Sequence, residues 1–165
     1  MSKNKGMLLE SIINQANENY FFLNKALIHK KNLDIKFTKI KNMDNKIFLE
    51  KARIVQKSTV DYYGVYQSKF IAFEAKETED DNLPINNIKP HQIEYLNLIN
   101  KFGGVGFYVI FFKKYNTFFY VDASNMHEFF KNKKSLSFNE SKNIGHELKL
   151  IFPGILNYLD FINLH

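Results

Sequence analysis

The chain has 165 residues, of which 45% are hydrophobic and 16% aromatic, so it is long and apolar enough for one packed domain and is no disordered polar chain. It has no cysteine, which excludes disulfides and thiolate metal sites, and its longest apolar run, VGFYVIFF, stops at Lys113 and Lys114, well short of a membrane span. With no signal peptide at its start it reads as a soluble cytoplasmic, nucleoid-associated protein, and its net charge of +6 at pH 7 calls for an anionic partner.

From Met7 to Leu23, apolar residues at Leu8, Leu9, Ile12, Ile13, Ala16 and Tyr20 recur at helical spacing and predict a first helix, with Glu10 at the edge of its apolar stripe. A short strand, ALIHKK, follows. Between Lys25 and Lys57 stand ten Lys or Arg against Asp34, Asp44 and Glu50, so this third of the chain carries +7 and the remainder −1. Within it, DIKFTKIK and KIFLEKARIV alternate around the turn-forming Asn42-Met43-Asp44-Asn45, which predicts a long hairpin at about 36–56. Its apolar residues, among them Ile35, Phe37, Ile47, Phe48 and Ile54, do not all reach a main core, so the hairpin is expected to protrude as a stalk. Lys36, Lys39, Lys41, Lys46, Lys51, Arg53 and Lys57 are its candidate DNA-phosphate contacts. Only one of these is arginine, the residue that reads base edges with a bidentate fork, so backbone contact is expected to dominate.

Next comes the stretch that carries chemistry, STVDYYGVYQSKFIAFEAK from Ser58 to Lys76. Strict alternation in KFIAFEAK puts Ile71, Phe73 and Ala75 on one strand face and Phe70, Ala72, Glu74 and Lys76 on the other. Glu74 and Lys76 therefore project side by side. A carboxylate and an ammonium on an otherwise apolar strand are costly to bury unless each finds a partner or a metal ion. Asp61 is the natural third member, because Asp-Tyr-Tyr-Gly reads as a turn that folds its strand back beside Glu74, although a turn alone also favours aspartate.

The acidic run ETEDDN reads as a solvated loop. Pro90 at a first helical position opens PHQIEYLNLINKF, whose buried stripe is Ile93, Leu96 and Ile99 and whose end is Gly103-Gly104. Gln92, in its first turn, is placed to turn its amide toward the Glu74 strand. VGFYVIFF and TFFYVDA are two buried neighbouring strands, Ser124 is set to cap a short helix over NMHEFFKNK, and a strand near ELKLIF and a helix near ILNYLDFI close the chain. The fold class is α/β: a central mixed β-sheet flanked by helices, in a single domain over residues 1–165 with a protruding basic hairpin.

Asp61 followed by Glu74-Ala75-Lys76 resembles the Asp…Glu-x-Lys signature of the restriction-endonuclease-like PD-(D/E)xK nucleases. Longer words narrow the likeness. KGMLLE at 5–10, NENY at 17–20, STVDYYGVY at 58–66, FEAKET at 73–78 and LPINNIKPHQIEY at 83–95 resemble the RecU-type Holliday junction resolvases of Gram-positive bacteria and mycoplasmas, in the same order over nearly the whole chain. The likeness is looser in the last thirty residues, where PGILNYLDFI lacks the family's arginine and has Asn157 in place of an acid.

The resemblance implies an endodeoxyribonuclease that hydrolyses a phosphodiester at a crossover junction. Thr59, Asp61, Glu74 and Gln92 surround Mg2+, directly or through water, with Mn2+ able to substitute. Lys76 is catalytic together with Asp61 and Glu74, and Glu10 is a candidate outer-shell member. It further implies a homodimer that nicks opposing strands of four-way DNA symmetrically in homologous recombination and repair, with a recombinase as a candidate partner. The rival expectation is a non-catalytic branched-DNA-binding or recombinase-modulating protein whose carboxylates are structural.

Overall fold

In the computed structural model of this chain, residues 7–56 and 59–163 are described. The first helix, α1 (Met7–Phe22), leads into β1 (Ala26–Lys30), and four short strands form the basic hairpin: β2 (Asp34–Lys36), β3 (Lys39–Met43), β4 (Lys46–Glu50) and β5 (Arg53–Gln56). Then come β6 (Tyr62–Tyr66), β7 (Lys69–Thr78), β8 (Asn82–Pro84), α2 (Pro90–Lys101), β9 (Val105–Phe112), β10 (Thr117–Asp122) and α3 (Ala123–Phe130). β11 (Ser135–Ser137), α4 (Phe138–Ile144), β12 (His146–Leu148), β13 (Leu150–Ile151), β14 (Ile155–Leu156) and a 3-10 turn (Tyr158–Phe161) complete the chain.

Six strands make the central sheet in the order β1-β6-β7-β9-β10-β12, with β7 and β9 parallel and the other neighbours antiparallel. The parallel pair requires a crossover, and α2 supplies it. One sheet face buries Ile71, Phe73, Phe107, Val109 and Tyr120 under Leu9, Ile13, Ala16 and Tyr20 of α1 and under the C-terminal Leu156, Tyr158 and Leu159. The opposite face buries Ala72, Tyr108, Ile110, Phe119 and Val121 against Leu96 of α2 and Met126 and Phe130 of α3. The expected mixed α/β sheet with flanking helices is the architecture found. β9, buried along its whole length, is the strand on which both layers rest.

Several local expectations change. Asp-Tyr-Tyr-Gly is not a turn: Tyr62–Tyr66 is strand, and the chain reverses at Gln67-Ser68, both with positive φ. Gly64 is needed for a different reason, the close approach of β1, because a Cβ there would lie 2.1 Å from the Leu27 carbonyl oxygen. α3 is capped by Asp122, whose carboxylate accepts from the Ser124 backbone N–H at 2.8 Å, and not by Ser124 itself. The closing helix is only a 3-10 turn: Ile155 and Leu156 pair with β13, and Asn157 accepts from Lys149 N–H at 2.7 Å, so tertiary pairing takes the residues a first helical turn would need. Leu8 faces solvent, so the stripe of α1 is narrower than its spacing suggests. β11 and α4 were not expected; the Ser137-x-x-Glu140 capping box that starts α4 was legible but lay in a polar, asparagine-rich run.

The hairpin forms as expected, closed by Asp44 and Asn45 in left-handed conformations, with Lys39↔Glu50 through Met43↔Lys46 in register and β2 paired to β5 below. Residues 32–49 and 51–55 are all exposed, so both faces of this ribbon present apolar side chains to solvent.

Gly64→Ala should lower stability by about 2–3 kcal/mol in denaturant unfolding, because backbone rather than a flexible side chain occupies the space. Gly103→Ala, which has open space around its Cβ but a φ of +82°, should lose less, about 1 kcal/mol.

Candidate active site

Alternation along β7 turns Glu74 and Lys76 to the α2 side of the sheet, and the antiparallel pairing of β6 brings the residue just ahead of it, Asp61, to the same place. The Asp61 carboxylate accepts from the Ala75 backbone N–H at 3.0 Å, which fixes it across the strand from its neighbour. Glu74 is fully buried. One of its oxygens accepts from Lys76 Nζ at 2.6 Å, while the other, Oε1, is buried with no hydrogen-bond partner among the described residues. Tyr108 is the register neighbour of Glu74 on β9, and its buried hydroxyl is likewise without a partner among the described residues.

The electrostatics follow from that packing. Burial pushes the Glu74 carboxyl up to about 8, the charge of Asp61 beside it adds to the rise, and the Lys76 ammonium opposes it. Burial, together with the Glu74 charge, also pushes the Tyr108 phenol well above its usual range. A half-solvated carboxylate would need none of this compensation.

The remaining expected residues divide. Thr59 is half-buried, and its hydroxyl accepts from Lys31 Nζ at 3.0 Å. Gln92 is buried at the start of α2 and its side-chain oxygen accepts from the Lys89 backbone N–H at 3.1 Å, so the amide caps its own helix. Glu10 pairs with Lys30 Nζ at 2.6 Å, an ion pair at the surface that ties α1 to the end of β1. Of the hairpin residues, Lys36, Lys39, Lys41, Lys46, Lys51 and Arg53 are exposed, Lys41 pairing with Glu50; Lys57 lies outside the described residues. The acidic run is less free than expected: Glu77 pairs with Lys113 at 2.8 Å, and Asp81 with Lys114 at 2.8 Å and with the Tyr115 hydroxyl. Lys76 borders a cleft of about 740 Å³ between Glu77, Glu79 and Asp80 on one side and Asn86, Lys89 and Lys113 on the other.

Two residues of the site escape the sequence. Lys31 is one of ten basic residues in its segment, and nothing local marks it. Tyr108 carries a signal, a phenol in a strand otherwise apolar throughout, but not the neighbour to which it answers.

The donor set fits a hard divalent cation. Two carboxylates are held against one another, one buried oxygen is unsatisfied, and the Thr59 and Gln92 oxygens each keep a second lone pair after accepting the bonds above. Magnesium binds through few protein oxygens and retains water, so two carboxylates suffice.

Comparison with known proteins bears on the family and the fold. The sequence profile of the family "Recombination protein U" matches residues 4–164. A Holliday junction resolvase RecU from Mycoplasmopsis pulmonis is 38% identical over 98% of this chain and 96% of its own length. One from Ureaplasma parvum is 37% identical over 98% and 94%. Among solved structures, Hjc of Archaeoglobus fulgidus, a Holliday junction resolvase, superposes with a TM-score of 0.52 over 86% of this chain and 95% of that one; at 10% identity it shares the fold.

In the folded state Glu74 holds its proton up to about pH 8, whereas in the unfolded chain it loses it near 4.5, so the native state binds more protons between these values and stability falls as pH rises through that window. With chelator present, the melting temperature of the wild type should therefore fall relative to Glu74→Gln between about pH 5 and about pH 8. Parallel curves for the two proteins would show that Glu74 is not buried as an acid.

Proposed function

The chain belongs to the Recombination protein U family, and from that membership we propose that it is a Holliday junction resolvase, a magnesium-dependent endonuclease that cuts four-way DNA by paired, symmetric strand cleavage. The observation that carries the reading is the fully buried Glu74 carboxylate beside a half-buried Asp61, with Lys76 held 2.6 Å from Glu74, on the sheet of a nuclease fold.

Asp61 and Glu74 would hold the metal ion, with Thr59 and Gln92 contributing directly or through water. When bound, the ion neutralises charge at the scissile phosphate and lowers the pKa of an attacking water. The Ala75 N–H keeps the Asp61 carboxylate oriented before substrate arrives, so the site needs little reorganisation. Lys76, mostly shielded from solvent, holds its ammonium at the carboxylates, where it offsets negative charge on the nucleophile or on the pentavalent transition state. The largely buried setting strengthens each of these interactions relative to water.

The exposed hairpin supplies DNA contact. Lys36, Lys39, Lys46, Lys51 and Arg53 stand along a ribbon that has no core of its own, an arrangement suited to entering the branch point and following phosphates. A lone two-stranded ribbon is marginally stable in water. Ile35, Phe37, Ile40, Ile47 and Phe48 lie bare on it, so pairing of two copies in a homodimer would cover apolar surface and also set two sites against opposing strands.

With a labelled mobile junction and magnesium, the wild type should give paired nicks, and Asp61→Asn or Lys76→Ala should slow them by about a hundredfold or more while leaving metal-free junction binding in place. Junction binding with no cleavage under any divalent ion would establish the non-catalytic alternative. Lys39→Glu and Lys46→Glu should weaken junction binding and reduce the slope of log affinity against log salt by roughly one per phosphate contact removed.

A further inference from the structure

The two legs of the hairpin leave the sheet beside the carboxylates, and one residue bridges them there. Lys31 follows β1 directly; its backbone N–H donates to the Asp61 carbonyl at 2.7 Å and its Nζ to the Thr59 hydroxyl at 3.0 Å. Its surroundings differ from those of every other described lysine of the basic segment. Lys25, Lys30 and Lys41 pair with Asp160, Glu10 and Glu50, and Lys36, Lys39, Lys46 and Lys51 are fully open to solvent. Lys31 is half-buried, its ammonium rests on a neutral hydroxyl, and among the described residues no carboxylate oxygen comes within ion-pair distance of it. A partly desolvated cation without a counter-ion is unfavourable, and the deficit is relieved when an anion enters. The anion this site admits is a DNA phosphate.

We infer that Lys31 is a second ammonium of the reaction centre, engaging the scissile phosphate or the one next to it, and not one more contact of the DNA-binding hairpin. The assignment rests on the reading of the chain as a junction nuclease. Two features separate it from a merely structural tie. Its side-chain bond goes to Thr59, a residue proposed above for the metal site, and its main-chain bond to the Asp61 carbonyl extends the β1–β6 pairing, so its backbone is anchored directly beside Asp61. A tie between two hairpin legs needs only a donor, whereas a phosphate contact needs the charge.

Single-turnover cleavage at saturating junction, metal-free junction affinity and the melting temperature should be measured for the wild type and for Lys31→Gln, Lys31→Met and Lys31→Arg. Lys31→Gln keeps an N–H donor for Thr59 and loses the charge. It should cut roughly ten- to a hundredfold more slowly than the wild type, with affinity within about twofold, while Lys31→Arg recovers most of the rate. Lys31→Met should fall with Lys31→Gln; if it fails to fold, the Gln and Arg pair alone decides. Wild-type rates in Lys31→Gln, or a loss of affinity matching the loss of rate, would overturn the inference. Absence of cleavage by the wild type itself would instead overturn the functional reading.

Discussion

The molecule is built around one costly arrangement, the complete burial of the Glu74 carboxylate on a strand face beside a second carboxylate. Glu74 is tolerated there because Lys76, two residues along the same strand, donates to one of its oxygens, and because its proton is retained to about pH 8. The other oxygen stays unsatisfied among the described residues, and Asp61 is fastened alongside by a main-chain donor. An apolar core would gain stability by replacing all three. A strongly perturbed carboxylate of this kind is the type of group that clusters at functional sites, and it is the physical ground on which the proposed site rests.

The rest of the fold serves that arrangement. β9 lies beside β7 in parallel and closes off Glu74 from one side with Tyr108, α2 covers the face, and β6 delivers Asp61. On the opposite sheet face α1 and the C-terminal segment complete a conventional core, whose stacked rings Tyr62, Phe73, Phe107 and Tyr120 hold the strands rigid beneath the site. The hairpin has the opposite character. It is exposed over nearly its whole length and displays its charge, held by its own strand pairing and not by a core. Lys31 and Thr59 stand where these two regimes meet, joined by a hydrogen bond from the Lys31 ammonium to the Thr59 hydroxyl.

Much of this was legible without coordinates. The period-two pattern of KFIAFEAK assigns Glu74 and Lys76 to a common face, the helical stripe of α1 and the Pro90 start of α2 define two layers, and the charge surplus between Lys25 and Lys57 marks the hairpin. The errors are instructive. Asp-Tyr-Tyr-Gly carries turn residues, but Gly64 is required by a neighbouring strand's backbone and the reversal falls to Gln67-Ser68, both left-handed without the glycine or asparagine that usually takes that conformation. Gln92 sits in the first turn of α2 where the sequence places it, but that its oxygen also accepts from the Lys89 backbone N–H is not contained in the local pattern. Local chemistry of this kind is satisfied by whichever partner is nearest, and nearness is set elsewhere in the chain.

The sequence by itself determined which side chains share a face, where the positive charge accumulates and which family of words encloses the acids, because strand and helix periodicity and charge density are properties of neighbouring residues. Only the tertiary structure decided that Glu74 is buried rather than half-wet, that Tyr108 is its neighbour, and that Lys31 rather than a hairpin lysine reaches Thr59. Those outcomes come from pairings between segments far apart in the chain. Desolvation and coupling between charges depend on what surrounds a group in space, and no local pattern contains that.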